Sequence, residues 1–251
     1  MADLLLELVS EEIPARMQIM AGHNVARLVE TMLNSFGVWN EASAITGLCA
    51  PRHLLAYATD IAVSQPDLIV EKRGPRTDAP DSAVVGFLKS SGIDRSALIE
   101  KDTSKGRFFF TRSEVKGSQT SALLAPAIIE LLNQFPWPKS QRWRRGKFRW
   151  VRPLHRINLL FDGKPITGAL DLGGGQQIEF GATSCGHYFE APDNIDLSDV
   201  TSLDDVKTRL RDAFVMVDQA ERRNAILDGA QALADTKLCK VNEAQLDGYL
   251  G

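Results

Sequence analysis

The sequence is poor in cysteine. Its 251 residues include only Cys49, Cys185 and Cys239, which are odd in number and far apart in the chain. This pattern argues against a disulfide framework and against a zinc site built from paired Cys-x-x-Cys motifs. We therefore expect reduced thiols.

Long apolar runs are also missing, and so is a basic segment at the start of the chain. No stretch approaches the length of a membrane span, and residues 1–14 are acidic around a short apolar run, unlike a secretory signal. We expect a cytoplasmic protein with no membrane association. With 44% hydrophobic and 24% charged residues, the chain has enough apolar material for one large or two smaller domains.

Acidic residues are absent between Glu130 and Asp162, and the cations gather there instead. We call residues 136–156 the basic–aromatic block. Its cations are Lys139, Arg142, Arg144, Arg145, Lys147, Arg149, Arg152 and Arg156, and its large rings are Trp137, Trp143, Phe148 and Trp150. A chain with a formal net charge of -3 therefore carries a strongly positive local segment.

The block has two interpretations. Cations that alternate with flat rings suit RNA, because phosphates bind cations and unstacked bases stack on rings and Arg planes. Rings at this density are equally typical of a core or a protein interface, with the cations on a solvated face. On a strand, Phe148 and Trp150 share one face, whereas Lys147, Arg149 and Val151 share the other, so one face can pack while the other binds.

The periodicity predicts an α+β fold, a mixed sheet with packed helices and a helical insertion. We expect a strand over 4–9, a helix from 17 to 36 that ends at Gly37, and later strands over 154–161, 165–172 and 177–189. The predicted domains are a mixed α/β domain over 1–195, with the helical insertion at about 74–105, and a helical segment over 196–251. That segment, with helices over 203–214 and 218–238, is expected to begin a further domain that is truncated.

Motifs for catalysis or metal binding find little support. The triple glycine 173–175 precedes no helix and no Gly-Lys-Ser, so we interpret it as a hairpin turn and not as a phosphate loop. Cys185 and His187 have no further ligands nearby in the sequence. Glu11 and Glu12 precede the predicted helix, and the positive N-terminal end of a helix stabilises acidic side chains, so we do not interpret them as a catalytic pair of carboxylates. We predict no catalytic residue and no metal site.

Six ordered segments resemble the bacterial glycyl-tRNA synthetase beta subunit. They are SEEIP (10–14), APRHL (50–54), EKRGP (71–75), PKSQRW (138–143), FRWVRPLH (148–155) and GHYF (186–189). The chain resembles the N-terminal part of that subunit along its whole length, although Cys185 and Tyr188 stand where the family usually has arginine.

The resemblance implies a non-catalytic part of a glycine–tRNA ligase. In that family two alpha and two beta subunits assemble, and the alpha subunit condenses glycine with ATP, using ATP and Mg²⁺. No cofactor is expected in this chain, which alone should be catalytically inactive. The implied partners are the alpha subunit and the glycine tRNA, tRNA(Gly), and the implied role is to support tRNA binding and placement.

The site prediction is limited to the centre of the basic–aromatic block. The residues predicted to bind tRNA are Lys139, Arg142, Arg144, Arg145, Lys147, Arg149 and Arg152. The alternative is an assembly module that docks the alpha subunit without touching RNA, with Trp137, Trp143 and Trp150 as interface anchors. A hydrolytic editing domain ranks last, because the sequence reveals no pocket with perturbed acid or nucleophile groups.

Overall fold

A computed structural model describes residues 1–142, 146–237 and 240–242. In these residues the α-helices are α1 (Ala15–Ser35), α2 (Asp81–Ser91), α3 (Thr120–Asn133), α4 (Leu203–Asp212) and α5 (Gln219–Thr236). The strands are β1 (Ala2–Ser10), β2 (Ala44–Cys49), β3 (His53–Ile61), β4 (Leu68–Arg76), β5 (Leu98–Thr103), β6 (Gly106–Val115), β7 (Gln141–Arg142), β8 (Arg149–Trp150), β9 (Leu154–Phe161), β10 (Lys164–Pro165), β11 (Ala169–Asp171), β12 (Gln177–Gly181), β13 (Thr183–Cys185) and β14 (Asn194–Asp196).

Strand β1 lies at the centre of the main sheet. The strand order is β11-β12-β9-β1-β3-β2, with β10 paired to β9. Neighbours are antiparallel except β12 and β9, which run parallel. The sheet is therefore mixed, and the predicted α+β class is confirmed. Nearly every residue of β1 is buried, because both faces of the sheet are covered, and this explains its almost continuous apolar sequence.

Alternate residues of β1 enter two different cores. Leu4, Leu6 and Leu8 pack with helices α1 and α3 on one face. On α1 the buried apolar residues follow helical spacing: Met17, Ala21, Val25, Val29 and Leu33. Leu5 points to the opposite face and packs with residues of α4, including Val206 and Leu210. The period of two along a strand thus directs Glu7, like Leu5, to the α4 side of the sheet.

Residues 64–118 form a separate compact unit. Its strands pair in the order β4-β6-β5, and α2 follows β4 in the chain. The ring of Phe87 on α2 packs so closely on Gly74 that an ideal Cβ there would lie 2.4 Å from the ring carbon Cε1. The predicted insertion at 74–105 lies within this unit and contains α2 and β5, whereas β6 and most of β4 lie outside those bounds.

The other compact unit comprises residues 1–63 and 119–251, and α4 and α5 belong to it. Helix α4 contributes to the core on its face of the sheet, so this helix does not stand apart from the strands. Both helices have side-chain caps: Ser202 Oγ accepts from Asp205 N at 3.1 Å, and Asp218 caps α5. That residues 196–251 begin a further domain remains a prediction, and residues 243–251 lie outside the described ranges.

The triple glycine connects two antiparallel strands, β11 and β12. Gly173, Gly174 and Gly175 all have positive φ angles of 85°, 69° and 77°, a region that glycine enters without steric cost. Leu172 N donates to Gln176 O at 2.8 Å across the turn. The predicted hairpin turn is confirmed.

Candidate nucleic-acid interface

The basic–aromatic block contains a short antiparallel hairpin. Strands β7 and β8 pair with Gln141 opposite Trp150 and Arg142 opposite Arg149. We call residues 141–150 the basic hairpin. Of the predicted tRNA-binding residues, Arg144 and Arg145 lie outside the described ranges, as does Trp143.

The rings of the block face inward. Trp150 is fully buried, and its ring centroid lies 5.1 Å from those of Phe135 and Trp137. Phe148 stacks beside it at 5.9 Å. The sequence pattern placed Phe148 and Trp150 on one face and Lys147, Arg149 and Val151 on the other, and left open which face packs. In the structure Phe148 and Trp150 are buried and Lys147 and Arg149 are exposed, while Val151 is also buried. Trp150 is therefore unavailable to a base or to a partner subunit, and its expected role as an interface anchor is wrong.

The described cations of the predicted site all reach solvent: Lys139, Arg142, Lys147, Arg149 and Arg152. No described acidic side chain forms an ion pair with any of them. Two have neutral partners instead. Arg149 donates to Ser140 O at 2.9 Å, and Arg152 Nε donates to Glu12 O at 3.2 Å. Their positive charges are therefore not neutralised within the described chain.

Arg142 and Arg149 occupy directly opposed positions. Side chains at such positions begin about 5 Å apart, and like charges there destabilise a hairpin. Both side chains are exposed. An anion placed between them would remove this repulsion and accept hydrogen bonds from both guanidinium groups.

Glu11 has a different role from the one predicted. Helix α1 begins at Ala15 and has no acidic residue in its first turn, so a stabilising interaction with the helix dipole does not account for this glutamate. Glu11 Oε1 instead lies 2.7 Å from His155 Nε2 and 3.8 Å from an Arg52 nitrogen. The residue connects the end of β1 to β9 and to the segment before β3.

A cleft of about 690 Å³ opens beside these residues. Its lining is Glu11, Glu12, Ala50, Pro51, Arg52, His53, Gly186, His187, Tyr188, Phe189, Phe214, Val215, Met216 and Arg222. Three of its rings are strongly exposed: Tyr188 at 68%, Phe189 at 79% and Phe214 at 63%. Exposed rings beside cations thus occur at this cleft, whereas the rings of the basic hairpin that the structure describes, Phe148 and Trp150, are buried.

Phe214 holds a backbone conformation that bulky residues rarely adopt. Its φ is 60°, at the position after the end of α4 where glycine is usual. The turn is closed by Val215 N, which donates to Leu210 O at 2.8 Å. An exposed ring in a strained conformation is a reason to look for a role in binding.

Sequence reasoning missed a buried polar cluster on the α4 side of the sheet. Glu7 is fully buried, and its carboxylate lies 3.0 Å from His53 Nδ1. It also accepts hydrogen bonds from Asn158 Nδ2 and Ser184 Oγ, each at 2.7 Å. The half-buried thiol of Cys185 also acts on His53 and raises the pKa of its imidazole. Strands β1, β3, β9 and β13 each contribute to this cluster.

The cluster shifts the pKa values of its members. Burial by itself would raise the pKa of the Glu7 carboxyl. The hydrogen bond and positive charge of His53, together with the hydrogen bonds from Ser184 and Asn158, outweigh this effect and lower the pKa. Burial likewise opposes a charged His53, whereas Cys185 and Glu7 raise the pKa of the imidazole to about 9. The buried pair is thus an ion pair at neutral pH.

One signal in the sequence pointed to this cluster. Glu7 interrupts the apolar run of β1, and a carboxylate on a strand buried on both faces requires partners. The partners themselves come from positions up to 177 residues away, so no local spacing identifies them. Among the described residues, no group of three or more His, Cys, Asp or Glu is placed to hold a metal ion.

Exposed cations that cluster on one face without described acidic partners are the electrostatic footprint of proteins that bind nucleic acid. The family described as the glycyl-tRNA synthetase beta subunit matches residues 4–247 of this chain. The chain therefore belongs to the glycyl-tRNA synthetase beta subunit family.

Named relatives agree with this assignment. The glycine–tRNA ligase beta subunit of Rhodospirillum centenum is 38% identical over 257 residues, covering 94% of this chain and 35% of that protein. The corresponding subunit of Paracoccus denitrificans is 40% identical over 238 residues, covering 93% of this chain and 33% of that protein. The chain thus spans about a third of the length of these relatives. No helix in the described residues is long and apolar enough to cross a membrane.

Proposed function

We propose that this chain binds the phosphate backbone of tRNA(Gly) through its basic hairpin, as part of a glycine–tRNA ligase. The chain itself contributes affinity and orientation. Catalysis, with ATP and Mg²⁺, takes place on an alpha subunit, with which the beta chain assembles as two alpha and two beta subunits. Membership in the beta subunit family supports this assignment.

The observation that carries the proposal is the opposition of Arg142 and Arg149. The two exposed guanidinium groups have no described acidic partner, so their positive charges repel each other when no anion is bound. A phosphate between them would remove this repulsion and accept hydrogen bonds from both groups. Lys139, Lys147 and Arg152 extend the positive surface, and the site prediction includes Arg144 and Arg145. Phosphate contacts of this kind supply affinity and register without reading sequence.

The cleft supplies the second component of the proposed binding surface. Arg152 connects the two, because it follows the hairpin and donates to the backbone of Glu12, which lines the cleft. The exposed rings of Tyr188, Phe189 and Phe214 suit an unpaired nucleotide, since each stacked base contributes about 1–3 kcal/mol. We assign the cleft to a single-stranded part of the same tRNA.

The test is the salt dependence of tRNA(Gly) binding. Each phosphate contact steepens the plot of log binding constant against log salt by roughly 0.7–0.9. Arg142→Ala with Arg149→Ala should therefore reduce the magnitude of the slope by about 1–2. A matched control removes two exposed cations elsewhere in the same unit, Arg27→Ala with Lys164→Ala, and should leave the slope close to the native value. Equal slopes for the two double variants would refute phosphate binding by the hairpin.

The second candidate is an assembly module that docks the alpha subunit. The exposed rings of the cleft favour it, because aromatic side chains are enriched at protein interfaces. This candidate predicts that Phe189→Ala weakens subunit association and leaves the affinity for tRNA unchanged.

A further inference from the structure

Two carboxylates line the cleft, and they differ in their partners. Glu11 Oε1 lies 2.7 Å from His155 Nε2 and 3.8 Å from an Arg52 nitrogen. The neighbouring Glu12 is exposed, and no described group forms a hydrogen bond or an ion pair with its carboxylate. The backbone oxygen of Glu12 accepts from Arg152 Nε at 3.2 Å, so the main chain is held at this position. Glu12 therefore presents an unpaired carboxylate to the cleft.

The two arginines that line the cleft are already engaged within the chain. Arg222 donates to Met216 O at 2.9 Å and to Gln18 Oε1 at 3.0 Å. Arg52 donates to Ser10 O at 3.2 Å, besides its ion pair with a carboxylate. A phosphate placed here would meet an unpaired negative charge, while both guanidinium groups have other partners. The cleft thus favours the uncharged part of a nucleotide, which is its base.

The exposed rings of the cleft lie on a tightly packed turn. Ala191 N donates to His187 O at 3.0 Å, and an ideal Cβ on Gly186 would lie only 2.6 Å from Ala191 O. Within this turn the rings of Tyr188 and Phe189 pack edge to face, with centroids 4.7 Å apart. Because both rings remain largely exposed, a base can stack on them without first displacing a protein group.

His187 supplies a hydrogen-bond donor at the same cleft. Its Nδ1 accepts from the backbone N–H of Phe189 at 3.4 Å and from that of Glu190 at 3.2 Å. A ring nitrogen that accepts carries no proton, so the neutral imidazole has its N–H at Nε2. The cleft therefore combines a carboxylate acceptor, an imidazole donor and two exposed rings.

We propose that the cleft recognises an unpaired guanine, an inference that rests on the proposed binding of tRNA by this chain. The base stacks on Tyr188 or Phe189, and its N1–H and N2–H groups donate to the two oxygens of Glu12. Among the four bases, guanine alone has two adjacent donors on its Watson–Crick edge. Its neighbouring O6 suits the N–H of His187. Uracil has one N–H between two carbonyl oxygens, which the carboxylate repels.

The experiment measures the affinity of the full chain for four RNAs of five nucleotides by fluorescence anisotropy. Each RNA is uridine except at the central position, which is G, C, A or U. We expect the RNA with guanine to bind about tenfold or more tightly than the RNA of uridine alone, because a bidentate contact discriminates strongly against the wrong base. Equal affinities for the four RNAs would overturn the recognition of guanine.

Glu12→Gln tests the carboxylate itself. The amide keeps the shape of the side chain but has a single acceptor oxygen, so the preference for guanine should fall to about twofold or less. Glu190→Gln is the matched control, since it removes an equal charge from an exposed glutamate that does not line the cleft. That variant should keep the native preference. An undiminished preference in Glu12→Gln would overturn the role of Glu12.

The outcomes separate this inference from the proposed function. Equal binding of the four RNAs that is lost in Phe189→Ala would refute the recognition of guanine and retain stacking in the cleft. If none of the four RNAs bound, both the recognition of guanine and the assignment of the cleft to RNA would be refuted. Phosphate binding by the basic hairpin is tested separately by the salt dependence of tRNA(Gly) binding.

Discussion

Glu7 and His53 illustrate how single residues fix the centre of this sheet. A buried carboxylate is costly unless it is paired and hydrogen-bonded, and Glu7 has three side-chain partners within 3.0 Å. Those partners come from three other strands, so the cluster also specifies how the strands align. Removing one partner would leave a buried charge incompletely satisfied.

The pair predicts a definite dependence of stability on pH. Because the pKa of His53 is raised from 6.5 to about 9, its stabilising contribution is complete below pH 6.5 and is lost as pH rises through about 9. In the native chain the Cys185 thiol opposes this trend, because its pKa is lowered from 9.0 and its contribution grows as pH rises toward that value. A Cys185→Ser chain isolates the histidine, which keeps Glu7 as its partner.

We therefore expect the free energy of unfolding of Cys185→Ser to fall as the pH rises from 6.5 to 9, because Glu7 still raises the pKa of His53 in this chain. Chemical denaturation at a series of pH values measures this quantity. The double variant Cys185→Ser with His53→Gln is the control. Its free energy of unfolding should not show the fall with pH that is due to His53. If both chains gave the same slope, His53 would not be charged in the folded state.

At the scale of elements, the packing of α1 on the edge strand β2 depends on two glycines. An ideal Cβ on Gly47 would lie 2.0 Å from Gly22 O and 2.9 Å from Ala26 Cβ. The backbones of the helix and the strand are in direct contact here, which is a common reason for glycine inside a strand. No flexible side chain is available to yield at Gly22.

Gly47→Ala should accordingly lower the free energy of unfolding by about 3 kcal/mol, because α1 must shift away from the sheet. Gly229→Ala is the matched change, since nothing lies within 4 Å of its Cβ position in helix α5. That substitution should raise stability by roughly 0.5–1 kcal/mol. Equal effects of the two substitutions in denaturant titrations would contradict the close approach of α1 and β2.

The elements that could be predicted from sequence are those with a strong local pattern. The apolar stripe of α1, ending at Gly37 with a φ of 69°, and the turn at Gly173–Gly175 are determined by neighbours in the chain. The boundary of the unit over residues 64–118 was not predictable in this way. Strand β4 is paired with β6, about 40 residues later, and only that pairing defines the unit.

In the candidate site, too, features set by a local pattern could be predicted from the sequence, whereas features set by strand pairing could not. The alternation of Phe148, Arg149 and Trp150 predicted which side chains share a face, because a strand has a period of two, but it did not predict which face is buried. The opposition of Arg142 and Arg149 depends on hairpin register, and the cluster around Glu7 depends on long-range strand pairing. Neither leaves a motif in the sequence.

At the scale of the whole molecule, we propose that two different surfaces bind the tRNA: the basic hairpin through charge and the cleft through ring stacking. The described part of the basic hairpin presents exposed cations and buries the rings of Phe148 and Trp150, whereas the cleft presents exposed rings beside Arg52 and His187. A tRNA would contact the first with phosphates and the second with an unpaired base. The alternative, docking of an alpha subunit, uses the same exposed rings but has no need for the opposed arginines.

The measurement that tests this account most directly compares two affinities of the chain carrying Arg142→Ala and Arg149→Ala. Near 0.15 M salt, the loss of two phosphate contacts should weaken binding of tRNA(Gly) by roughly tenfold to thirtyfold. Association with the alpha subunit should remain at the native level. Native affinity for tRNA(Gly) together with weakened association with the alpha subunit would contradict the account and would assign the basic hairpin to subunit assembly.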